Sequence, residues 1–273
     1  MEGRYIKIRG INYYIGFEGN GYPVLLLHGF TGSHRIWKNF VRFNQGSYRF
    51  IIPDLLGHGQ SDCPSDEHRY SMEETLLDLE GLLDHLNIET CFCVGYSMGG
   101  RIALSFSLAY GARVKGLILE SSSPGLYSLE ERQERVKRDN ALAERIRSIG
   151  IRAFAEEWAH IPLFSTQAKL PVDVLQTEQQ IRMQNREDGL AQSLRGIGTG
   201  SQPSNWEKLK DLRIPTLLVT GILDKKFTNI ALQMMQQLKT AHHLQIKDAG
   251  HTVHLEQPQE FAQSVYNFFS AFE

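Results

Sequence analysis

A serine flanked by glycines is the residue pattern with the clearest chemical meaning in this sequence. Residues 95–99 read Gly-Tyr-Ser-Met-Gly, which matches G-x-S-x-G, a pattern that holds a serine on a tight turn between a strand and a helix. The apolar run Cys91–Val94 comes directly before it, and a helical pattern follows from Ser97 to about Tyr110. These flanks favour a reactive Ser97 over a chance match in a glycine-rich turn.

Two further residues could activate that serine. A serine hydroxyl needs a base, and the base needs an acid that orients it. Asp224 follows the apolar run Thr216–Thr220, and His251 follows the last such run. Ser97, Asp224 and His251 therefore form a predicted triad, with each residue beyond the end of a strand. His254 is the competing base, but we expect it one turn into the next helix, in a packing role.

Backbone N–H groups near the serine are predicted to form an oxyanion hole, a pair of donors that stabilises negative charge on a reacting oxygen. Met98 supplies one donor because it directly follows the serine. Phe30 supplies the other from His28-Gly-Phe30, after the first central strand, where Gly29 lets the chain turn closely. We expect His28 and the polar turn over residues 54–61 to be structural.

Arg101 follows Ser97 by one helical turn and lies on the same face of the predicted helix. Burying an arginine there is costly unless its charge meets an anion, which would then be a ligand. The alternative is a partly exposed arginine that pairs with a nearby carboxylate. Helical periodicity alone leaves both interpretations open.

The elements that must position these residues alternate along most of the chain. Helices are predicted over Ser71–His85, Ser97–Tyr110 and Pro258–Phe272. The predicted strands are Tyr5–Ile8, Asn12–Ile15, Val24–Leu27, Phe50–Ile52, Cys91–Val94, Val114–Leu119, Thr216–Thr220 and His243–Ile246. The first two form a hairpin, and the others are apolar enough to be buried on both faces. The fold class is therefore α/β, with a mostly parallel eight-stranded sheet.

The alternation stops between residues 124 and 205, where no convincing strand occurs. Helical patterns cover Leu129–Ile149, Ile151–His160, Val172–Asn185 and Leu190–Leu194. Helices inserted at this point would cover the carboxyl ends of the strands, where open α/β sheets bind ligands. We predict a core formed by residues 1–123 and 206–273, with a helical cap over residues 124–205.

The composition excludes several classes of function. Lys and Arg number 29 against 31 Asp and Glu, a net charge of −2, so no basic excess indicates a nucleic-acid partner. The three cysteines lack the spacing of a zinc site or of a favourable disulfide, which is typical of a reduced, intracellular chain. The sequence shows no signal-peptide pattern, and its apolar runs are far shorter than the roughly 20 residues of a membrane span. We expect a cytoplasmic protein.

Taken together, these motifs resemble the α/β-hydrolase superfamily over nearly the whole chain. The matching features are His28-Gly-Phe30, Gly57-His-Gly59, residues 95–100, Asp224 and Gly250-His251. More narrowly, the sequence resembles one family, the 2-succinyl-6-hydroxy-2,4-cyclohexadiene-1-carboxylate synthases of menaquinone biosynthesis. The narrower resemblance rests on Gly95-Tyr-Ser-Met-Gly-Gly-Arg101, Glu120-Ser-Ser-Ser-Pro-Gly-Leu126, Gly198-Thr-Gly-Ser-Gln-Pro203 and Asp224-Lys-Lys-Phe227. One departure is Leu56, a loop position where the family usually has proline.

The resemblance implies a lyase reaction in which a proton is removed and pyruvate is eliminated, without a metal or an organic cofactor. Ser97, polarised by His251 and Asp224, would act as the base. The family substrate is a small molecule with several carboxylates, which arginines bind through bidentate, charge-assisted hydrogen bonds. Carried over residue by residue, the substrate-binding positions are Tyr96, Arg101, Arg135, Trp158 and Arg182.

Other interpretations of the triad remain open. A serine hydrolase acting on an ester or a carbon–carbon bond needs the same three residues and would pass through an acyl-enzyme. A binding protein without activity is compatible with the fold, although such proteins can lose a triad residue and this chain keeps every candidate. The sequence also leaves open the oligomeric state and the choice of Arg135 over Arg132 or Arg138, which lie on nearly the same helix face.

Overall fold

One sheet of eight strands runs through the protein in the computed structural model, which describes residues 1–43 and 48–272. The strands are β1 (Glu2–Ile8), β2 (Ile11–Glu18), β3 (Tyr22–Leu27), β4 (Tyr48–Pro53), β5 (Cys91–Tyr96), β6 (Val114–Glu120), β7 (Thr216–Gly221) and β8 (Ala241–Ile246). Their order across the sheet is β1-β2-β4-β3-β5-β6-β7-β8, with antiparallel pairing from β1 through β2 to β4 and parallel pairing elsewhere. The predicted α/β class and mostly parallel sheet are confirmed.

Helices cover both faces of this sheet because its central strands are apolar on both sides. In the described ranges the helices are α1 (Lys38–Phe43), α2 (Met72–His85), α3 (Met98–Ala109), α4 (Leu129–Ala159), α5 (Val172–Met183), α6 (Glu187–Ile197), α7 (Lys225–Met235), α8 (Val253–Glu256) and α9 (Pro258–Ser270). None of them is both long and apolar enough to cross a membrane. In β5, Cys91 and Cys93 face the core under α2 and α3, whereas Phe92 stacks on Phe269 of α9.

The segment between β6 and β7 is helical, as the sequence predicts. Residues 124–205, all of which the structure describes, contain α4, α5, α6 and a 3₁₀ helix at Pro162–Lys169, and no strand. A capping box begins α4, because the side chains of Ser128 and Glu131 each accept a hydrogen bond from the other residue's backbone N–H. Gly150, with a φ of 80°, breaks this helix at the predicted boundary, since glycine adopts left-handed backbone angles without steric cost.

Apolar side chains of α4 and α6 form a small core of their own. Its members include Ile146, Phe154 and Leu190, each almost fully buried. Phe30, in the loop after β3, packs edge-on against Phe154, with the ring centroids 6.4 Å apart. The inserted helices therefore contact the loop that leaves the carboxyl end of a central strand, which is the edge of the sheet where the predicted triad lies.

Candidate active site

Ser97 lies on a tight turn between β5 and α3, in a conformation that few residues adopt. Its backbone has a φ of 51° and a ψ of −106°, which is strained for a residue with a side chain. The turn closes tightly because Gly99 has no side chain: a Cβ atom there would lie 2.1 Å from the carbonyl oxygen of Leu27. The sequence pattern around Ser97 thus has the predicted physical basis.

Asp224, His251 and Ser97 form a connected hydrogen-bond chain. His251 Nδ1 lies 2.7 Å from Asp224 Oδ2, and His251 Nε2 lies 3.1 Å from Ser97 Oγ. Asp224 is itself fixed, because its Oδ1 accepts a hydrogen bond from the N–H of Phe227 at the start of α7. With the Nδ1 proton donated to Asp224, Nε2 is left to accept the hydroxyl proton of Ser97. The structure therefore brings the predicted triad residues together.

His254, the competing base, lies away from Ser97. Its Nδ1 is 2.8 Å and 2.9 Å from the two carboxylate oxygens of Glu120, and its backbone N–H donates to the same group. The ring is buried between Trp37 and Tyr96, with centroids 4.7 Å and 4.9 Å away. His254 is the second residue of α8 and has a packing environment, as the sequence indicated.

A cavity of about 210 Å³ opens above Ser97 and is bounded by the core and by the inserted helices. Phe30 and Met98, the predicted oxyanion residues, both line it, as does Trp158, whose ring centroid is 5.4 Å from that of Phe30. Met98 is the first residue of α3, where backbone N–H groups lack partners inside the helix. Among the described residues that line the cavity, none carries a carboxylate, whereas Arg101, Arg135 and Lys226 are cations.

Arg101 is buried without a carboxylate partner in the described part of the chain. Its Nη1 donates to the carbonyl oxygen of Ile197 at 2.8 Å and to Gln202 Oε1, which are both uncharged acceptors. Burial, and to a smaller extent the neighbouring Arg135, lower the pKa of Arg101 to about 10, and the charge of Asp139 opposes this. Of the two interpretations that the sequence leaves open, the structure disagrees with a partly exposed arginine paired to a carboxylate and agrees with a buried arginine that lines the cavity.

Arg135 is the arginine of α4 that faces this cavity. Its Nε donates to Asp139 Oδ1 at 2.7 Å. Arg132 and Arg138 do not line the cavity: Arg132 Nε donates to the carbonyl oxygen of Gly200, and Arg138 pairs with Glu134 on the outer face. The helix packing thus separates three arginines that sequence spacing leaves equivalent.

Tyr96 and Arg182 line a second, smaller cavity of about 20 Å³ rather than the cavity above Ser97. The hydroxyl of Tyr96 hydrogen-bonds to Thr252 Oγ1 at 2.8 Å, and Arg182 lies over the ring of Phe164, 5.4 Å from its centroid. Both side chains are buried. In this conformation Tyr96 binds the loop around His251, and neither side chain faces the space where a ligand would meet the serine.

Two residues of the site were not singled out in the sequence. Lys226 lines the cavity from the first turn of α7, and its signal was the Asp224-Lys-Lys-Phe227 motif. Asp139 is buried behind Arg135, and its Oδ2 has no hydrogen-bond partner in the described residues. The one feature of the sequence that indicates Asp139 is its position four residues after Arg135. No group of three or more His, Cys, Asp or Glu side chains in residues 1–43 and 48–272 is arranged to hold a metal ion.

His28 and His58 are buried, neutral histidines beneath the loop that carries Phe30. His28 Nε2 accepts a hydrogen bond from the N–H of Leu55 at 2.9 Å, and the two imidazole rings lie 5.1 Å apart. Burial lowers the pKa of His28, and burial together with His28 lowers the pKa of His58 to about 3. His28 has the structural role expected from the sequence.

We expect the free energy of unfolding to fall on mild acidification, in part because of His58. Its pKa is about 3 in the folded protein, against about 6.5 in an unfolded chain, so between these values only the unfolded chain binds the proton. The stabilisation from the neutral ring is complete above pH 6.5 and declines as the pH falls, by about 2 kcal/mol between pH 7 and pH 5. Denaturant unfolding of the wild type and His58→Gln at both pH values measures this contribution, and an equal loss in the two proteins would contradict it.

Sequence comparisons identify the fold family and the relatives of this chain. A family model described as the α/β hydrolase fold matches residues 22–258. A Bacillus subtilis protein, provisionally named 2-succinyl-6-hydroxy-2,4-cyclohexadiene-1-carboxylate synthase, is 41% identical over 96% of this chain and 96% of its own length. The 2-succinyl-6-hydroxy-2,4-cyclohexadiene-1-carboxylate synthase of Photorhabdus laumondii is 32% identical over 93% of this chain and 88% of its own length.

Comparisons with solved structures extend the likeness to three dimensions. MenH from S. aureus aligns with a TM-score of 0.90 at 32% identity, covering 94% of this chain and 98% of that one. A thermophilic esterase from Thermogutta terrifontis, solved with malate bound, aligns with a TM-score of 0.87 at 28% identity, covering 100% of this chain and 99% of that one. The chain belongs to the α/β-hydrolase fold family and, within it, to the family of 2-succinyl-6-hydroxy-2,4-cyclohexadiene-1-carboxylate synthases.

Proposed function

We propose that this protein is a carbon–oxygen lyase of menaquinone biosynthesis. Its substrate would be 2-succinyl-5-enolpyruvyl-6-hydroxy-3-cyclohexene-1-carboxylate, and its products 2-succinyl-6-hydroxy-2,4-cyclohexadiene-1-carboxylate and pyruvate. The relatives named for this reaction support the assignment. The observation that carries it is an assembled Ser97–His251–Asp224 chain below a cavity lined by three cations and, in the described residues, by no carboxylate.

Proton abstraction would begin at the ring carbon that bears the succinyl group, because the adjacent ketone acidifies that C–H bond. Ser97 Oγ takes this proton while His251 Nε2 takes the hydroxyl proton, and Asp224 stabilises the imidazolium that forms. The electron pair of the C–H bond forms a new ring double bond, the existing double bond shifts, and the C–O bond to the enolpyruvyl group breaks. The departing enolate takes a proton from His251 at its methylene carbon and becomes pyruvate, which restores the triad.

The oxyanion hole would act on the ketone of the succinyl group. As the proton leaves, negative charge moves onto the ketone oxygen, and donors already aimed at that position lower the barrier. The backbone N–H groups of Phe30 and Met98 are the proposed donors, since both residues line the cavity beside Ser97. Arg101 and Arg135 would bind substrate carboxylates. The buried guanidinium of Arg101 has no carboxylate partner in the described residues, and Arg135, whose Nε binds Asp139, keeps its Nη atoms for a ligand.

The test is release of pyruvate from the enolpyruvyl substrate, generated in situ by the enzyme that makes it. This substrate also eliminates pyruvate spontaneously, so the rate must be compared with a protein-free control. We expect release well above the spontaneous rate in proportion to enzyme concentration. A rate equal to the spontaneous one would reject the proposal.

The proposal includes three features that rest on the sequence and on the position of the cavity. Residues 124–205 would act as a cap over a core formed by residues 1–123 and 206–273, since helices from the insertion close one side of the cavity. The protein would be cytoplasmic and act on a small polycarboxylate without a nucleic-acid partner. No metal or organic cofactor takes part in the steps above.

A serine hydrolase is the second candidate, and one observation favours it. His251 Nε2 lies within hydrogen-bond distance of Ser97 Oγ, which is the arrangement that acyl transfer requires, and an esterase aligns over the whole chain. An activated ester such as 4-nitrophenyl acetate would then give a burst of nitrophenol equal to the enzyme concentration. A burst followed by fast turnover, together with no pyruvate release, would favour the hydrolase.

Asp139→Asn should weaken substrate binding by roughly tenfold, because Asp139 holds the guanidinium of Arg135 through its Nε atom. This leaves the Nη atoms of Arg135 available to a carboxylate, so we regard Asp139 as a positioning residue. We expect KM to rise with a smaller change in kcat. Glu134→Gln, which removes a carboxylate from the exposed Arg138 pair of the same helix, should leave KM unchanged. Equal KM values for Asp139→Asn and the wild type would contradict this role.

A further inference from the structure

We propose that Lys226 binds the carboxylate of the enolpyruvyl group, the part of the substrate that leaves as pyruvate. This inference rests on the proposed function and assigns a residue to the leaving group. Lys226 lines the cavity above Ser97 from the first turn of α7, whereas the two arginines reach the same cavity from α3 and α4. The cations of the cavity therefore stand on different walls, as a ligand with several separated carboxylates requires.

The position of Lys226 is set by the triad itself. Its Nζ lies 5.4 Å from the centroid of the Phe227 ring, and that ring is 4.6 Å from the ring of His251. Phe227 also donates its backbone N–H to Asp224. An anion bound to Lys226 is thus held on the side of the cavity where His251 lies, and His251 carries the proton that the departing enolate must take up.

Lys226 has a charge that the described residues do not neutralise. None of the ion pairs in residues 1–43 and 48–272 includes it, and Asp224, two residues before it, is committed to His251 and Phe227. The next residue back, Lys225, has the same charge and the same exposure but does not line the cavity. Because of the direction in which α7 begins, Lys226 lines the cavity and the neighbouring Lys225 does not.

Exposure distinguishes the role of Lys226 from that of the arginines. Arg101 is buried and Arg135 is half-buried, whereas Lys226 is exposed at the cavity opening. Pyruvate must leave before the next substrate enters, and a hydrated point charge releases a carboxylate more readily than a buried, bidentate guanidinium. The succinyl and ring carboxylates stay with the other product, which suits the deeper arginines.

The experiment compares Lys226→Gln with Lys225→Gln and the wild type, following formation of the conjugated diene by its ultraviolet absorbance. Added pyruvate serves as a probe of the leaving-group site and should inhibit the wild type competitively. For Lys226→Gln we expect KM and the inhibition constant for pyruvate each to rise roughly tenfold, as for loss of one charge-assisted hydrogen bond. Lys225→Gln should match the wild type in both constants, and Lys226→Arg should recover most of the loss.

Each other outcome has a defined meaning. Unchanged constants in Lys226→Gln, or no inhibition of the wild type by pyruvate, would overturn the assignment. A raised KM with unchanged pyruvate inhibition would also overturn it, because Lys226 would then contact a different carboxylate. Equal losses in both glutamine variants would overturn the assignment too, because the two lysines would then attract the anion through net charge alone. Failure of the wild type to form the diene would instead reject the proposed function.

Discussion

Ser97→Ala should lower the rate of pyruvate release by about a thousandfold or more, to near the spontaneous rate of elimination. In the proposed mechanism Ser97 Oγ removes the substrate proton; Ser97 lines the cavity, and its Oγ is hydrogen-bonded to His251 Nε2. Alanine removes that atom and leaves the arginines in place, so KM should change little. The measurement is diene formation under single-turnover and steady-state conditions.

A matched serine in the same cavity provides the control. Ser193 also lines the cavity, but its hydroxyl donates to Met98 Sδ at 3.7 Å, whereas the ring of His251 is hydrogen-bonded to Asp224 and Ser97. Ser193→Ala should keep the rate within roughly threefold of the wild type. Neither change should alter the unfolding midpoint much, since alanine at position 97 keeps the same strained backbone. If Ser97→Ala retains a large part of the activity while Asp224→Asn loses it, His251 rather than the serine is the base.

The same variant separates the two candidate functions. An acyl-enzyme needs the Oγ atom as a nucleophile, so Ser97→Ala would abolish a burst on an activated ester under either function. Only the lyase also loses elimination of pyruvate, a reaction in which no acyl group is transferred. If Ser97→Ala loses the burst but releases pyruvate at the normal rate, Ser97 takes no part in the elimination and acts only as the nucleophile toward esters.

The fold was largely predictable because its local signals agree with one another. Runs such as Cys91–Val94 are apolar at every position, which suits only strands buried on both faces. Gly150 and the Ser128 cap fix boundaries in the inserted helices through backbone conformation and hydrogen bonding. The order of strands across the sheet had no such local signal, because it depends on long-range pairing, for example of β2 with β4.

Site residues could be predicted only where their position along the chain, directly after a strand, fixes their position in the fold. Ser97, Asp224 and His251 each follow a strand whose carboxyl end lies at the same edge of the sheet, so their meeting follows from the fold. Tyr96 is adjacent to Ser97, yet its hydroxyl binds Thr252, because Tyr96 is the last residue of β5 whereas Ser97 lies on the strained turn that follows. The location of the Arg182 side chain depends on how α5 packs against the core, which no local sequence pattern specifies.

Arg101→Met should lower kcat/KM by about thirtyfold or more without destabilising the protein. Leaving a bound carboxylate without its buried partner costs about 2–5 kcal/mol, and each 1.4 kcal/mol corresponds to a factor of ten. Stability should be unchanged or higher, because in the described residues the desolvated guanidinium meets uncharged acceptors alone, from Ile197 and Gln202, and methionine fills a similar volume without a charge. Turnover assays and thermal unfolding on the same preparations measure the two effects.

Replacing Arg101 should lower turnover without lowering stability, so the two measurements together distinguish a binding role from a structural role. An arginine kept for structure would lower stability when replaced and leave turnover intact, whereas an arginine kept for an anion does the reverse. Arg101→Lys keeps the charge but loses the planar fork, so it should recover only part of kcat/KM. Arg138→Met, on an exposed helix face, controls for the change in net charge and should match the wild type. A destabilised Arg101→Met with normal turnover would mean that this residue serves to tie α3 to the end of α6, and the carboxylate-binding role would pass to Arg135 alone.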